Sequence, residues 1–385
     1  MARTSRYEID MCSGKLLPKI LTFALPLMCS SVLQLLFNAA DIVVVGKFAG
    51  DNSLAAVGSN AALINLMVNL FVGLSVGANI LAARYTGAGN RESLRQTVHT
   101  SMLLAFLSGI LLAVVGVAIA TVVSQCLSAF LVVRCLMHEE GDIRLELHEL
   151  RITLPRLRQI LEIGVPSGIQ GVAFSLSNVI IQASINGFGE TVISGNTAAS
   201  NIEGFIYVAC NAFCQANMAF TSQNYGAGKL ERLKPIALCS AACSASVGIV
   251  GGMLGYLFGP QLLHIYSNSD VVVAAGMVRI TIMFLPYVLC SLMDVIVGSI
   301  RGLGYSVTPM IVTLLGACAF RVVWIATVFR VPQFHTPQVI YWSYPISWGL
   351  TFLAHLICWV IMLSRLYRRE GLMSRHHHLT HEHTV

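Results

Sequence analysis

Six stretches of the chain, residues 52–83, 96–133, 163–189, 204–228, 235–269 and 331–364, contain no Asp, Glu, Lys or Arg. Each exceeds the roughly 20 residues that carry a helix across a ~30 Å hydrocarbon layer. No water is present inside such a layer, so backbone N–H and C=O groups must pair within the chain, and only helices or a closed barrel can do this. The runs lack the apolar–polar alternation of barrel strands. The pattern therefore predicts an all-α fold, a polytopic transmembrane helix bundle.

Charged and turn-forming residues place helices at about 17–45, 54–82, 160–187, 196–222, 236–258, 273–298, 309–329 and 339–364. Residues 98–137 are too long for one crossing and barely enough for two, with Gly109 and Gly116 as break points. Basic residues gather in alternate connections: Arg84, Arg91 and Arg95; Arg134, Arg144, Arg151, Arg156 and Arg158; Lys229, Arg232 and Lys234; Arg365, Arg368 and Arg369. The positive-inside rule puts these loops and both termini in the cytoplasm. Both ends of 98–137 then lie on the same side, which requires two crossings and a total of ten spans.

Composition agrees, with 56% hydrophobic and 11% charged residues, far from a soluble domain. The net charge of +6 follows from loop topology rather than from a nucleic-acid surface. The eleven cysteines form no Cys-x-x-Cys pair and stand near no histidine at ligand spacing, so they read as small packing residues, with no metal site. The N-terminus mixes Arg3, Arg6, Glu8, Asp10 and Lys15 and shows no removable signal pattern. The histidines at 376–378, 381 and 383 fall in what reads as a disordered cytoplasmic tail, 369–385.

The chain also repeats itself. Leu25-Pro26 matches Val165-Pro166, Asn38 matches Asn178 and Phe48 matches Phe188, all at a spacing of 140. Arg84-Tyr85-Thr86-Gly87-Ala88-Gly89-Asn90 matches Gln223-Asn224-Tyr225-Gly226-Ala227-Gly228-Lys229, one residue out of that register. The two units share orientation, a parallel repeat of the kind found in transporters whose two lobes rock around a central cavity. The Gly-Ala-Gly segments lack the Lys-Ser/Thr ending and preceding strand of a nucleotide loop and read as tight turns. Nothing in the chain suggests a nucleotide-binding domain.

These residues resemble the multidrug and toxic compound extrusion (MATE) family. The likeness rests on Leu25-Pro26, on Asn38, Asp41, Val45 and Gly46 at the end of the first helix, and on the two Gly-Ala-Gly loops. It is extended by Ser222 through Lys229 and by Gly298-Ser299-Ile300-Arg301-Gly302-Leu303-Gly304 with Thr308-Pro309. The resemblance implies export of drugs or metabolites against H⁺ or Na⁺ entry through two six-helix lobes. Residues 103–115 read like the start of the third family helix and 117–137 like the sixth, so the fourth and fifth have no counterpart. The expected organisation is a shortened N-terminal lobe at 1–138, a cytoplasmic linker at 139–159 and a complete C-terminal lobe at 160–368. Phe174 and Tyr305 stand where some family members carry second-lobe carboxylates.

An ionisable residue inside a span is costly, and its presence points to function. Gln34, Asn38 and Asp41 fall on one helix stripe, and with Thr121 they are the candidate cation-coupling set, binding H⁺ or Na⁺. Asp41 could also be an interfacial residue solvated by water. Gln125 is a further cavity candidate. Asn178, Gln182, Asn196, Asn201, Glu203 and Asp294 could line the substrate cavity or tie helices together. Arg321 in mid-span needs a partner, and Asp294 or Glu203 could pair with it structurally. The reading is a cation-coupled antiporter of small organic compounds in the plasma membrane, in contact with lipid, with no cofactor beyond the coupling ion and no nucleic-acid or nucleotide partner. A transport-inactive remnant and a flippase for lipid-linked sugars are the alternatives. No His-Glu-x-x-His or Gly-x-Ser-x-Gly motif points to an enzyme.

Overall fold

The structure is a computed structural model that describes residues 9–48, 69, 71–114, 130, 132–138 and 144–382. Helix α1 spans Leu16–Phe48 and α3 Arg91–Val114, with α2 at 71–87 and α4 at 132–138. After a linker come α5 (Leu154–Asn186), α6 (Glu190–Gly226), α7 (Leu233–Leu257), the short α8 (Gly259–His264), α9 (Asp270–Met283) and α10 (Tyr287–Gly302). A last pair follows: α11 (Val307–Thr313) runs through a π-helical turn at Leu314–Ala319 into α12 (Phe320–Ala326), and α13 spans Pro337–Glu382.

The distribution of side chains is inverted relative to a water-soluble protein. Phe37, Leu257, Leu315 and Ile357 are each more than 60% exposed, whereas Asn196, Asn217, Asn224, Arg321 and His355 are at most 1% exposed. Apolar side chains turn outward and polar ones inward, as expected where hydrocarbon replaces water as the outer solvent. Among the described residues Leu16–Phe37, Leu154–Asn186, Leu230–Leu257, Val307–Arg330 and Pro337–Arg368 are long and apolar enough to cross a membrane, and α9–α10 together make a sixth.

The segment expected as one span at 273–298 is two helices bent by 51°. Pro286 supplies the cause: it has no N–H to donate and disfavours helical geometry at Leu285 before it. The linker expected to run to residue 159 ends earlier, because Thr153 precedes α5 and Pro155 sits in its first turn, where proline is tolerated. Of the two crossings expected in 98–137, residues 98–114, 130 and 132–137 are described, and residues 115–129 and 131, which would hold the turn between them, lie outside the described residues. Residues 369–382 of the expected tail lie on the backbone of α13.

Helix α6 is the axis of the bundle, packed against α1, α7, α9 and α10, and its residues Ala216 through Asn224 are all buried. Glycines bring α2 and α5 together: a Cβ on Gly73 would lie 2.6 Å from the Gly164 carbonyl oxygen, and one on Gly164 would lie 2.8 Å from Leu74 Cα. Without a hydrophobic driving force between helices in lipid, such close backbone contact is what holds them.

The two Gly-Ala-Gly turns meet at the basic end of the bundle. Each is closed in the same way, by Ala88 N–H to Arg84 O (2.9 Å) and Asn90 N–H to Tyr85 O (3.0 Å) in one, and by Ala227 N–H to Gln223 O and Lys229 N–H to Asn224 O (both 2.9 Å) in the other. Gly89 and Gly228 take left-handed φ values of 64° and 71°, the usual helix stop. A Cβ on Gly87 would overlap the Gln223 carbonyl oxygen, and a Cβ on Gly226 would overlap the Arg84 carbonyl oxygen. The contact is thus made twice, by equivalent residues in exchanged roles. The Arg84 guanidinium lies 5.0 Å over the Tyr225 ring across it.

The segment before α1 straps this end. Met11 N–H donates to Gln223 Oε1 and Asn224 Nδ2 donates to Met11 O, both at 3.0 Å, while Lys229 Nζ donates to Cys12 O at 2.9 Å. Asp10 accepts from the Ser13 hydroxyl and from Cys12 N–H (2.8 Å), and the Ser13 bond holds its carboxyl below the usual carboxylate range. Arg156, in the first turn of α5, ties that helix to α2 and α3 through the Tyr85 hydroxyl (2.5 Å) and Ser93 Oγ (2.8 Å).

Candidate functional site

Polar groups in the interior of α5–α13 form chains whose links come from different helices. The first begins at Glu203 on α6, whose carboxylate accepts from Arg279 Nη2 at 2.7 Å and Nε at 3.1 Å. Arg279 sits on α9 and also donates from Nη1 to Asn196 Oδ1 at 2.7 Å. Asn196 donates to Gln182 Oε1 at 3.0 Å, and Gln182 to Asn186 Oδ1 at 2.9 Å, which joins α6 to α5. The side chains of Arg279 and Glu203 are 7% and 14% exposed, so both donors and both charges are matched inside the bundle. Tyr341 and Tyr344 of α13 place their rings 5.8 and 5.7 Å from the guanidinium centre.

A second chain runs from α10 to α13. Arg301 Nη2 donates to Gln170 Oε1 (2.7 Å), Gln170 Nε2 donates to Thr313 Oγ1 (3.0 Å), and Thr313 Oγ1 lies 3.1 Å from His355 Nε2. Its histidine belongs to a stripe of α13, Ser343, Ser347, Thr351 and His355, in which every residue is fully buried. Their spacing of four keeps them on one face. The π turn in the neighbouring span brings Gly316 so close that a Cβ there would lie 2.5 Å from Thr351 Oγ1. π turns of this kind concentrate at functional positions.

Arg321 follows that turn. It is 1% exposed, donates from Nε to Ser347 Oγ at 2.9 Å, and faces three rings, Tyr344 at 4.1 Å, Phe174 at 5.3 Å and Trp348 at 5.8 Å. The ion pair expected between Arg321 and Asp294 or Glu203 is not formed. Glu203 pairs with Arg279 instead, and Asp294 forms no ion pair among the described residues. Phe174, expected where some relatives carry a carboxylate, is one of the rings against Arg321.

Of the other expected residues, Gln182, Asn196 and Glu203 come together in the first chain. Asn178 is exposed, and neither it nor Asn201 makes a side-chain hydrogen bond among the described residues. Gln34 is exposed on α1. Asn38 and Asp41 lie on the α1 backbone with side chains outside the described part, and Thr121 and Gln125 lie outside it entirely. Two residues escaped the sequence reading. Arg279 stands inside the apolar stretch of α9, nine residues after Asp270, and scanning only uncharged runs passes over it. His355 was hidden because the scan counted only Asp, Glu, Lys and Arg, although its four-residue periodicity with Ser343, Ser347 and Thr351 was visible.

Residues 26–130 and 166–326 match the MatE family model. The chain is 19% identical over 383 residues to the probable multidrug resistance protein YoeA of Bacillus subtilis (strain 168), an alignment that takes in 76% of this chain and 82% of that protein. It is 18% identical over 389 residues to the probable multidrug resistance protein NorM of Thermotoga maritima, covering 79% of this chain and 83% of that one. Among solved structures, a multidrug resistance MATE family transporter in an outward-facing conformation superposes with a TM-score of 0.86 at 17% identity, over 95% of this chain and 100% of that chain. A MATE protein in complex with MaL6 gives the same TM-score at 16% identity, over 93% and 99%.

Proposed function

The chain belongs to the MatE family of multidrug transporters, and from that premise we propose that it is a cation-coupled antiporter that exports small organic compounds by alternating access. The observation that carries this reading is the doubled glycine contact at the basic end, where equivalent turns of the two repeats close against each other. Alternating access needs a seal at one end that opens when the other closes, and here glycines close on backbone carbonyls of the opposite repeat, with the Arg84 guanidinium over Tyr225 across the contact. In this reading the sealed end and both termini face the cytoplasm, because the basic loops gather there. The protein resides in the plasma membrane, and lipid covers the apolar outer surface.

The coupling ion, H⁺ or Na⁺, is assigned to Asp41 on α1, with Asn38, Gln34 and Thr121 as further oxygen donors. Substrate is assigned to the space between the repeats, reached by Asn178 and Asn201, with Asp294 as a carboxylate that forms no ion pair among the described residues. A ligand shifts the two-state balance only by its differential affinity for the two states. Cation binding at Asp41 that favours the conformation releasing substrate supplies such a difference.

The test is ethidium efflux from vesicles containing the purified chain under an imposed proton or sodium gradient, comparing the parent with Asp41→Asn. Gradient-dependent efflux that Asp41→Asn abolishes supports the proposal. Folded parent protein that moves no ethidium or other organic cation under either gradient sinks it.

A further inference from the structure

Arg321 carries a buried charge that forms no ion pair among the described residues. A guanidinium stays protonated at every pH the protein meets, and a buried charge without a counter-charge costs several kcal/mol. Its direct contacts are neutral: one hydroxyl, Ser347 Oγ at 2.9 Å, and the rings of Tyr344, Phe174 and Trp348, while the Glu203 carboxylate acts on it from farther off and is bonded to Arg279. Aromatic faces attract a cation, but they do not cancel its charge. Among the described residues no carboxylate pairs with Arg321, and its Nη2 has no acceptor at all.

Two further donors in the same aromatic cluster are left the same way. The indole N–H of Trp348 and the hydroxyl of Tyr341, in residues 2% and 0% exposed, have no partner. Buried polar atoms are nearly always bonded, so a cluster of orphans calls for an explanation. The contrast with Arg279 sharpens it, because that guanidinium is matched by Glu203 and Asn196 within the same bundle. The ring of Tyr344 lies 4.1 Å from the Arg321 centre and 5.7 Å from the Arg279 centre. The surroundings are therefore rich in donors and positive charge, and short of an acceptor.

We propose that Arg321 and the indole N–H of Trp348 form a binding site for one monovalent anion inside the α5–α13 bundle. The ligand is either the carboxylate of an organic molecule or a free halide. One negative charge balances the Arg321 guanidinium, and a divalent ion would overcharge the site. Phe174 and Tyr344 form its walls and exclude water, which strengthens the attraction. The site goes beyond the export reading and holds whether or not the chain couples efflux to a cation gradient.

Binding is tested without any gradient. The full chain in detergent is kept at constant ionic strength in sodium sulfate, and its unfolding midpoint and tryptophan emission are followed as chloride, iodide, acetate or benzoate replaces sulfate. A saturable rise in midpoint with the halides, together with saturable quenching of emission by iodide, identifies a free-ion site. A rise confined to acetate and benzoate identifies an organic-acid site. Arg321→Met is expected to fold, since replacing an uncompensated buried charge with an apolar side chain is neutral or stabilising, and to lose the response. Trp348→Phe keeps the ring and removes one donor to a charged ligand, which weakens binding about tenfold. Arg330→Met, on an exposed residue, keeps the parent response. A parent with no saturable response to any of the four anions overturns the proposal. So does an Arg321→Met response equal to the parent's or, should that variant not fold, a Trp348→Phe affinity equal to the parent's.

Discussion

Replacing Glu203 with leucine strands Arg279 inside the bundle. The guanidinium loses both bonds to the carboxylate, at 2.7 and 3.1 Å, and keeps only Asn196 and the tyrosine rings. With side-chain exposures of 7% and 14% for the two partners, water cannot substitute. Removing one member of a buried pair costs about 3–5 kcal/mol, a large part of the ~5–15 kcal/mol that holds a typical protein folded. The double variant Glu203→Leu/Arg279→Met removes both charges and lets apolar atoms fill the space, at the smaller cost of an unbonded Asn196 oxygen, about 1–3 kcal/mol. Denaturant unfolding of the detergent-solubilised chain, followed by circular dichroism, should therefore rank the parent first, the double variant next and Glu203→Leu last. A Glu203→Leu variant within about 1 kcal/mol of the parent, or a double variant whose loss equals the sum of the two single losses, would refute the reasoning, because uncoupled residues add.

Thr313→Val leaves the Gln170 amide and His355 Nε2 without their shared hydroxyl, and should lower stability by about 1–3 kcal/mol in the same assay. Gly226→Val drives a side chain into the Arg84 carbonyl and should part the glycine contact, exposing Cys12, whose thiol lies 3.7 Å from Gln223 O. Peptide mass spectrometry after maleimide treatment should show faster labelling of Cys12 in that variant than in the parent. Burial pushes the Cys12 thiol above the ordinary range of a cysteine, so the parent's labelling rate should rise with pH through a midpoint above that of a free thiol. In Gly226→Val that midpoint should move down toward the ordinary value as the thiol meets water, and an unmoved midpoint would contradict burial as its cause.

The spans of the second half were legible in the sequence because lipid imposes a compositional rule, and long apolar stretches with few or no charged residues mark the helices whichever way they face. The break between α9 and α10 was also written there, at Pro286, but an apolar run across it masks a bend that only backbone geometry sets. Partner choice was not legible. Arg321 was correctly singled out as an expensive residue, yet which carboxylate reaches which guanidinium depends on the rotation of α6, α9 and α12 about their own axes. Glu203 faces α9, and no local pattern encodes that. The α13 stripe ending at His355 was the converse case, a periodic signal present in the sequence and lost by counting only fully charged residues.

The doubled glycine contact resembles the self-complementary interface of a symmetric dimer folded into one polypeptide. In each copy the glycine must stay small, but its counterpart, Gln223 or Arg84, offers only a carbonyl oxygen. A carbonyl is common to every residue, so the contact constrains the glycines and leaves the opposing side chains unconstrained. This explains why Gly-Ala-Gly is shared by both repeats while the residue three places before it differs. The same separation let the two side chains diverge into separate tasks, Gln223 receiving the strap from Met11 and Arg84 covering Tyr225. Duplication thus supplied the symmetry of the closure, and divergence could then work on residues that the closure itself does not use.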